Sequence, residues 1–376
     1  MITGIIPQTG RTCYSALSRL GDVSGRNYSK LVEILEKSKG RGTQNLEEAQ
    51  TYLTELQGQG YPVTLQPDRK RAERPYRLSF LGSDIVVDGV KVRIEGAESH
   101  NCSSLIRLSE ADFAIVGYDE LLATMQTYLS IDKRAATRWG SFNAELMEPT
   151  DVRIAGSANL KYTDKETGRD FQDFDGFFFI GNKRRGYDDV VRILEHGQRL
   201  YVKGRYEGVI LKAFPGIKTV PVKNVEDAVA SNPDGLGVEI VRSGRTIKKK
   251  GLHVYGEPLF LSESLLVADY GQYLGNPDLQ KVIDTIQPQS FFNLRRMDNF
   301  SKWYDFLKGN LNNNWIDRPD VRTLFEGSVP IESLRPYTIE SHNWMPSNNL
   351  PADKKFAEVI FMTQVVPAVL SSGIQS

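Results

Sequence analysis

Short apolar runs alternate with amphipathic stretches over roughly the first 270 residues. Near-continuous apolar runs at residues 111–117 and 177–180 are typical of strands buried on both faces. Between such runs, apolar residues recur at helical spacing, as at Tyr14, Leu17 and Leu20. Alternating strands and helices predict an α/β protein with mostly parallel sheets.

Turn chemistry adds two local features. Asp88 and Gly89 lie between two β-branched runs and predict a β-hairpin. At residues 151–175 we expect a loop-like insertion with a surface turn at 165–168.

Two stretches stand apart from the alternation of strands and helices. In residues 28–60, Asn45 and Glu48 resemble a capping box before an apolar stripe, so we expect two packing or interface helices there. Residues 271–376 begin with an Asn-, Pro- and aromatic-rich stretch and end in an apolar helix predicted at 353–370. We interpret this region as a packing or oligomerisation appendage of unknown fold.

Composition and charge narrow the functional classes. A chain of 376 residues is long enough for two domains. Lys+Arg and Asp+Glu are equal at 47 each, so no global field favours nucleic acid or an anionic membrane. Without a recognisable signal peptide or membrane span, we expect a cytoplasmic protein. Cys13 and Cys102 give no disulfide framework, and the scattered histidines lead us to expect no protein-bound metal.

One turn carries the strongest candidate chemistry. The apolar strand 238–241 runs into Ser243, Gly244, Arg245 and Thr246. Backbone N–H groups, two hydroxyls and a glycine that permits close approach suit a phosphate group. The alternative is a polar surface loop between a strand and a helix.

Two other loops follow predicted strands in the same way, at residues 8–11 and 117–119. Ligands of open α/β sheets bind beyond the carboxyl ends of the strands. Lys203, the last residue of another predicted strand, belongs to the same edge. We therefore expect a ligand site built from these strand ends.

The segment around the turn resembles a known signature. Ser243-Gly244-Arg245-Thr246-Ile247 is preceded by Glu239 and followed by Tyr255-Gly256-Glu257-Pro258-Leu259. This order resembles the signature of the ATP phosphoribosyltransferases, the first enzymes of histidine biosynthesis. Ile6–Arg11, Asp112–Gly117 and Leu200–Lys203 are similar to further family segments, in the expected order.

The resemblance implies an architecture. It suggests α/β lobes of type II periplasmic-binding-protein topology, each with a mixed or parallel sheet. Domain I is expected at 1–120 with a helical insertion at about 28–75, domain II at 121–250 with an insertion at about 150–175, a return strand to domain I at 251–270, and the C-terminal appendage at 271–376.

The resemblance also implies roles for individual residues. Ser243, Gly244, Arg245 and Thr246 would hold the 5-phosphate of phosphoribosyl pyrophosphate, with Glu239 accepting hydrogen bonds from the ribose hydroxyls. The implied catalytic residues are Glu239, Arg11 and Lys203. Arg11 and Lys203 would contact pyrophosphate or nucleotide phosphates, or else be surface charges. The implied nucleotide-binding residues are Gly10, Arg11, Asp112, Gly117 and Tyr118.

The implied reaction is transfer of ribose 5-phosphate to a ring nitrogen of ATP or a related nucleotide, with Mg²⁺ bound on the pyrophosphate rather than by a protein ligand set. We expect small-molecule substrates and a homo-oligomer. The family position of Glu239 usually holds aspartate, and its first loop usually carries a lysine. These departures keep two alternatives open: the same donor with a different acceptor, or an inactive regulatory paralogue that still binds the ligand.

Overall fold

A computed structural model describes residues 1–38, 45–67, 75–102, 106, 110–125, 152–158, 160–164, 166–213, 216–287 and 294–317. The helix predicted at 353–370 lies outside these residues. The described chain belongs to two compact units. No helix in these ranges is long and apolar enough to cross a membrane.

Strands and helices alternate along most of the described chain. The strands are β1 (Ile2–Pro7), β2 (Val63–Pro67), β3 (Tyr76–Phe80), β4 (Gly82–Val87), β5 (Val90–Ala97), β6 (Phe113–Gly117), β7 (Val152–Ser157), β8 (Lys161–Thr163), β9 (Asp170–Gln172), β10 (Phe174–Gly181), β11 (Arg199–Lys203), β12 (Lys218–Val222), β13 (Leu236–Val241), β14 (His253–Asp269) and β15 (Trp315–Ile316). The α-helices are α1 (Arg11–Ser24), α2 (Ser29–Lys37), α3 (Leu46–Gly58), α4 (Tyr118–Met125), α5 (Tyr187–Glu195), α6 (Glu207–Ala213), α7 (Val225–Ser231), α8 (Arg245–Lys249), α9 (Tyr270–Gly275), α10 (Pro277–Ile286) and α11 (Leu294–Leu311).

Unit one comprises Met1–Thr124, Thr150–Lys161 and Ser264–Pro288. In its sheet, β1 pairs in parallel with β5 and β6, while β4 pairs antiparallel with β5. The last part of β14 pairs antiparallel with β6 and β7. The sheet is therefore mixed, and the carboxyl ends of β1 and β6 lie at the same edge.

Local sequence signals in unit one are confirmed. Asp88 and Gly89 form the β4–β5 turn with φ of 46° and 80°, the positive values that a two-residue type I′ turn requires. The Asn45 side chain accepts a hydrogen bond from the Glu48 N–H at 2.8 Å and caps α3. The two predicted helices of residues 28–60 are α2 and α3.

Unit two contains Tyr162–Glu263 and the described residues from Leu294 onwards. β11 pairs in parallel with β12 and β13, and β10 pairs antiparallel with β13 and with the first part of β14. The strand order is β12-β11-β13-β10-β14, with β15 beside β14. The α/β class with a mixed sheet in each unit is confirmed.

The insertion at 151–175 is not loop-like as expected, because it contains β7, β8 and β9. Asp164 causes the reversal between β8 and β9. Its carboxylate accepts hydrogen bonds from the N–H groups of Glu166 and Thr167 at 3.1 and 2.9 Å, which makes a tight turn of the surface segment predicted there. Strands β8 and β9 were missed because they have only three residues each.

The described residues after Tyr270 belong to the two compact units. α9 and α10 belong to unit one, and α11 and β15 belong to unit two. The predicted return strand is also divided, because β14 belongs to unit two up to Glu263 and to unit one from Ser264.

Helix α11 completes the hydrophobic core of unit two. Trp303 is 0% exposed and its ring lies 6.0 Å from that of Phe174. Its indole N–H donates to the Arg242 carbonyl at 2.9 Å, so the helix is joined to the end of β13. The described members of this core cluster in the C-terminal region are Trp303, Tyr304, Leu307, Leu311 and Trp315.

We predict that Trp303→Ala lowers the free energy of unfolding by about 3–5 kcal/mol, because it empties a buried site and removes a hydrogen bond. Urea unfolding followed by circular dichroism measures the change. The control is Lys302→Ala, at an exposed position of the same helix, which should change stability by less than about 0.5 kcal/mol. Equal stability of the two variants would show that α11 does not hold unit two together.

Candidate functional site

Strand register brings Lys203 and Glu239 together in unit two. Leu200 pairs with Leu236 and Tyr201 pairs with Gly237 across the parallel strands β11 and β13. Two residues beyond these pairs, Lys203 and Glu239 follow on the same face of the sheet. The charge of Lys203 acts on the Glu239 carboxylate. Both side chains are partly buried at the carboxyl edge of the sheet.

Helix α7 covers this face at Gly237. A Cβ at Gly237 would lie 2.5 Å from Val225 Cγ1 and 2.9 Å from Val229 Cγ2, so the helix lies directly over the glycine. Because β12 is parallel to β11 and leads into α7, the first turn of the helix lies at the same carboxyl edge. That turn carries Glu226.

Burial and neighbouring charges determine the protonation of the two glutamates. Burial raises the pKa of Glu239 above its ordinary value. The Ile240 N–H, which donates to the Glu239 carboxylate at 2.9 Å, and the charges of Lys203 and Arg205 lower this pKa and offset part of the rise. Burial is the main cause that raises the pKa of Glu226 to about 7, and the negative charge of Glu239 is the second. The positive charge of Lys250 lowers this pKa and offsets part of the rise. Glu226 therefore gains or loses its proton close to neutral pH.

This arrangement combines acceptors for sugar hydroxyls with cations for anionic groups. A carboxylate presents about four lone-pair sites and readily accepts from two vicinal hydroxyls. Lys203 and Arg205 supply positive charge within reach of the same carboxylate. We call the group Glu226, Glu239, Lys203, Arg205 and Lys250 the carboxylate–lysine cluster.

The turn predicted to bind phosphate follows Glu239 by four residues. Gly244 has φ of 70°, and a Cβ there would lie 2.7 Å from Leu311 Cδ2, so both backbone conformation and packing require glycine. The Ser243 carbonyl accepts from the Asn310 side chain at 3.1 Å. Helix α11 therefore supports the turn, which starts helix α8 and leaves Thr246 exposed.

The Arg245 side chain is engaged within the protein. Its Nη2 lies 2.6 Å from both carboxylate oxygens of the fully buried Asp164, and its Nε lies 3.1 Å from Glu166. Arg245 thus links the turn to the β8–β9 hairpin. The role implied by the resemblance, contact with a phosphate, stays a prediction.

The residues predicted to bind a nucleotide lie in unit one and separate into two groups. Gly10 and the exposed Arg11 begin α1 after β1, and Gly117 ends the parallel strand β6, so these three share one edge. Asp112 lies at the other end of β6, where its carboxylate accepts from the Thr3 N–H at 2.7 Å. Tyr118 is 1% exposed, and its ring belongs to the core.

Sequence reasoning missed Glu226, Arg205 and Lys250. The sequence could have indicated Glu226. It lies in the first turn of a helix capped by Asn224, and this helix follows a strand that ends at the carboxyl edge of the sheet. Cys13 and Cys102 are both buried. In the ranges that the structure describes, no three His, Cys, Asp or Glu side chains form a group able to hold a metal ion.

Comparisons with known proteins give no match to a family model and none to a curated sequence. Similar solved structures include an ATP phosphoribosyl transferase (HisG:HisZ) complex from Thermotoga maritima, with 14% identity, a TM-score of 0.38, and coverage of 77% of this chain and 97% of that one. A TRAP periplasmic solute binding protein from Rhodobacter sphaeroides has 11% identity, a TM-score of 0.42, and coverage of 96% and 99%. The VFT2 domain of BvgS from Bordetella pertussis has 10% identity, a TM-score of 0.36, and coverage of 80% and 92%.

We predict that Glu226 makes stability fall as pH rises through the neutral range. In the unfolded chain the carboxyl ionises near 4.5, whereas in the folded protein its pKa is about 7. The folded state binds more protons between these values, so stability is lost as pH rises from about 4.5 to about 7. In Glu226→Gln this contribution disappears.

Urea midpoints measured at several pH values for both proteins provide the test. The control is Glu195→Gln, which removes an exposed carboxylate from α5, away from the cluster, and should keep the wild-type pH dependence. A Glu226→Gln profile parallel to that of the wild type would contradict the prediction.

Proposed function

We propose that the protein is a phosphoribosyltransferase that transfers ribose 5-phosphate from phosphoribosyl pyrophosphate to a ring nitrogen of ATP or a related nucleotide. The observation that carries this proposal is the position of Glu239 beside Lys203, at the carboxyl edge of unit two and four residues before the Ser243–Thr246 turn. The donor carries ribose hydroxyls, a 5-phosphate and a pyrophosphate. A carboxylate, a phosphate-binding turn and a lysine are suitable partners for these three groups.

The ribose hydroxyls would donate to the Glu239 carboxylate. Lys203 and Arg205, whose charges reach this carboxylate, favour its ionised form and would attract the negatively charged donor. Mg²⁺ enters as part of the donor, bound to its pyrophosphate. Departure of pyrophosphate leaves positive charge on the ribose in the transition state, which the nearby carboxylate would stabilise.

The 5-phosphate would be held by the backbone of the turn and the exposed hydroxyl of Thr246. Since Arg245 is bonded to Asp164 and Glu166, we assign it to holding the turn in shape rather than to the phosphate. A turn supported in this way does not have to order when the ligand binds, which lowers the entropic cost of binding.

Gly10, Arg11 and Gly117, which share one edge of the sheet of unit one, are the residues that we propose for nucleotide binding. A second candidate function, binding of the same donor without turnover, is favoured by the positions of Asp112 and Tyr118. Asp112 caps the start of a strand pair and Tyr118 lies in the core, so the predicted nucleotide residues converge less than the donor residues do.

We predict that Glu239→Gln and Thr246→Val each weaken binding of magnesium phosphoribosyl pyrophosphate by about 10-fold or more. Each removes a hydrogen-bonding group for a polar or charged ligand, which costs about 1.5–3 kcal/mol. Isothermal titration calorimetry measures the dissociation constants. Thr51→Val, at an exposed position of α3, is the matched control and should bind like the wild type.

Wild-type affinity in both site variants would rule out this donor site. Turnover is measured separately, as pyrophosphate release from the same donor in the presence of ATP or other nucleotides. Donor binding without pyrophosphate release would favour the second candidate function. Release with an acceptor other than ATP would keep the donor and change the acceptor.

A further inference from the structure

A polar cluster lies at the carboxyl edge of unit one, where the parallel strands β1 and β5 end side by side. The Gln8 N–H continues their ladder by donating to the Ala97 carbonyl at 2.7 Å. Gln8 is 8% exposed, and its side-chain amide donates to Oε1 of the Glu98 carboxylate at 2.6 Å. Glu98 is therefore bonded to the short loop that carries Gly10 and Arg11.

The hairpin of β2 and β3 supplies a second donor to Glu98. Arg77 Nη2 donates to the same carboxylate oxygen, Oε1, and to Oε1 of its cross-strand neighbour Gln66 at 3.0 Å. The Phe80 N–H, at the end of β3, donates to the Gln8 carbonyl at 2.9 Å. Side-chain and backbone contacts thus join the hairpin, Glu98 and the loop into one bonded group, entirely within unit one.

These contacts orient the Glu98 carboxylate and do not saturate it. Both side-chain donors bond to one oxygen, whereas a carboxylate offers about four lone-pair sites on its two oxygens. The Glu98 side chain is 39% exposed, so a ligand can reach it from solvent. Because the carboxylate is already held in place, little conformational freedom is lost when a ligand binds. Glu98 is therefore suited to accept hydrogen bonds from hydroxyl groups.

The position of Glu98 suits the ribose of a nucleotide. In dinucleotide-binding α/β sheets, a loop after the first strand approaches the phosphates, and an acidic residue further along the chain accepts from a ribose hydroxyl. Here Gly10 and Arg11 follow β1, and Glu98 follows β5, the parallel neighbour of β1. An acidic side chain and a glycine-containing loop thus lie at adjacent strand ends.

We propose that Glu98 binds the ribose hydroxyls of the nucleotide, and that Arg77 and Gln8 position its carboxylate. This inference rests on the proposed function, because it names the residue that recognises the sugar of the acceptor. Glu239 of unit two retains the ribose of the donor. Since Arg77 and Gln8 are both bonded to Glu98, they are positioning residues rather than ligands of the nucleotide.

Isothermal titration calorimetry with the full chain compares magnesium ATP with magnesium 2′,3′-dideoxy-ATP, which lacks both ribose hydroxyls. We expect the wild type to bind ATP about 10-fold or more tightly than the analogue, because hydrogen bonds to a charged group are lost. In Glu98→Gln the two affinities should differ by less than about threefold, since Arg77 and Gln8 occupy the amide oxygen and the amide nitrogen cannot accept. Arg77→Gln keeps the charge of Glu98 and loosens its orientation, so the preference for ATP should fall between these values.

The matched control is Glu95→Gln. Glu95 lies on the same strand shortly before Glu98, its side chain is 43% exposed, and it pairs with Arg93 at 2.7 Å. This variant loses a similar carboxylate outside the cluster and should keep the wild-type preference for ATP. Each variant should also keep wild-type affinity for magnesium phosphoribosyl pyrophosphate, whose proposed partners belong to unit two, which shows that the chain is folded.

Two results would overturn the role of Glu98 while pyrophosphate release with ATP still supported the proposed function. One is a wild type that binds ATP and the dideoxy analogue equally, and the other is a Glu98→Gln variant that keeps the wild-type preference. An unchanged preference in Arg77→Gln would overturn the positioning role of Arg77. A wild type that binds the donor but no nucleotide, and releases no pyrophosphate, would overturn this inference together with the proposed transfer reaction.

Discussion

The candidate site of unit two depends on one buried ion cluster. Arg242, directly before the Ser243–Thr246 turn, pairs with Asp173 at 2.7 Å and with Asp175 through its Nε at 2.7 Å. Its side chain is 8% exposed, so losing Arg242 would leave the two carboxylates without their counter-charge, at a cost of about 3–5 kcal/mol. Its backbone carbonyl accepts from Trp303. The end of β13 is thereby fixed through both side chain and backbone, and with it the spacing between Glu239 and the turn.

The sequence alone was sufficient to predict features that depend on residues close together in the chain. The Asp88-Gly89 turn and the Asn45 cap were predicted because their partners lie within three residues, and the alternation of apolar runs predicted the α/β class. The β8–β9 strands and the contribution of α11 to the core were missed. Their stability comes from contacts distant in sequence, such as Leu311 against Gly244, which no local period displays.

The candidate site divides in the same way. The proximity of Lys203 and Glu239 follows from two parallel strands that end at one edge, which sequence reasoning could anticipate. Glu226 depends on how α7 lies over Gly237, and the engagement of Arg245 depends on Asp164, 81 residues earlier in the chain. A motif therefore predicts candidate residues for a ligand site without showing which of them the fold itself uses.

The long strand β14 limits how the gene for this protein can be divided or changed in length. It contributes residues up to Glu263 to one unit and those from Ser264 to the other, and the chain also passes between units after Lys161 and Pro288. Neither unit can be excised as a continuous gene fragment. A single-codon insertion between Glu263 and Ser264 would move the register of one half of the strand relative to the other, turning its inward-facing side chains outward. We therefore expect a change in the length of β14 at this point to disturb one unit or the other more than a substitution does.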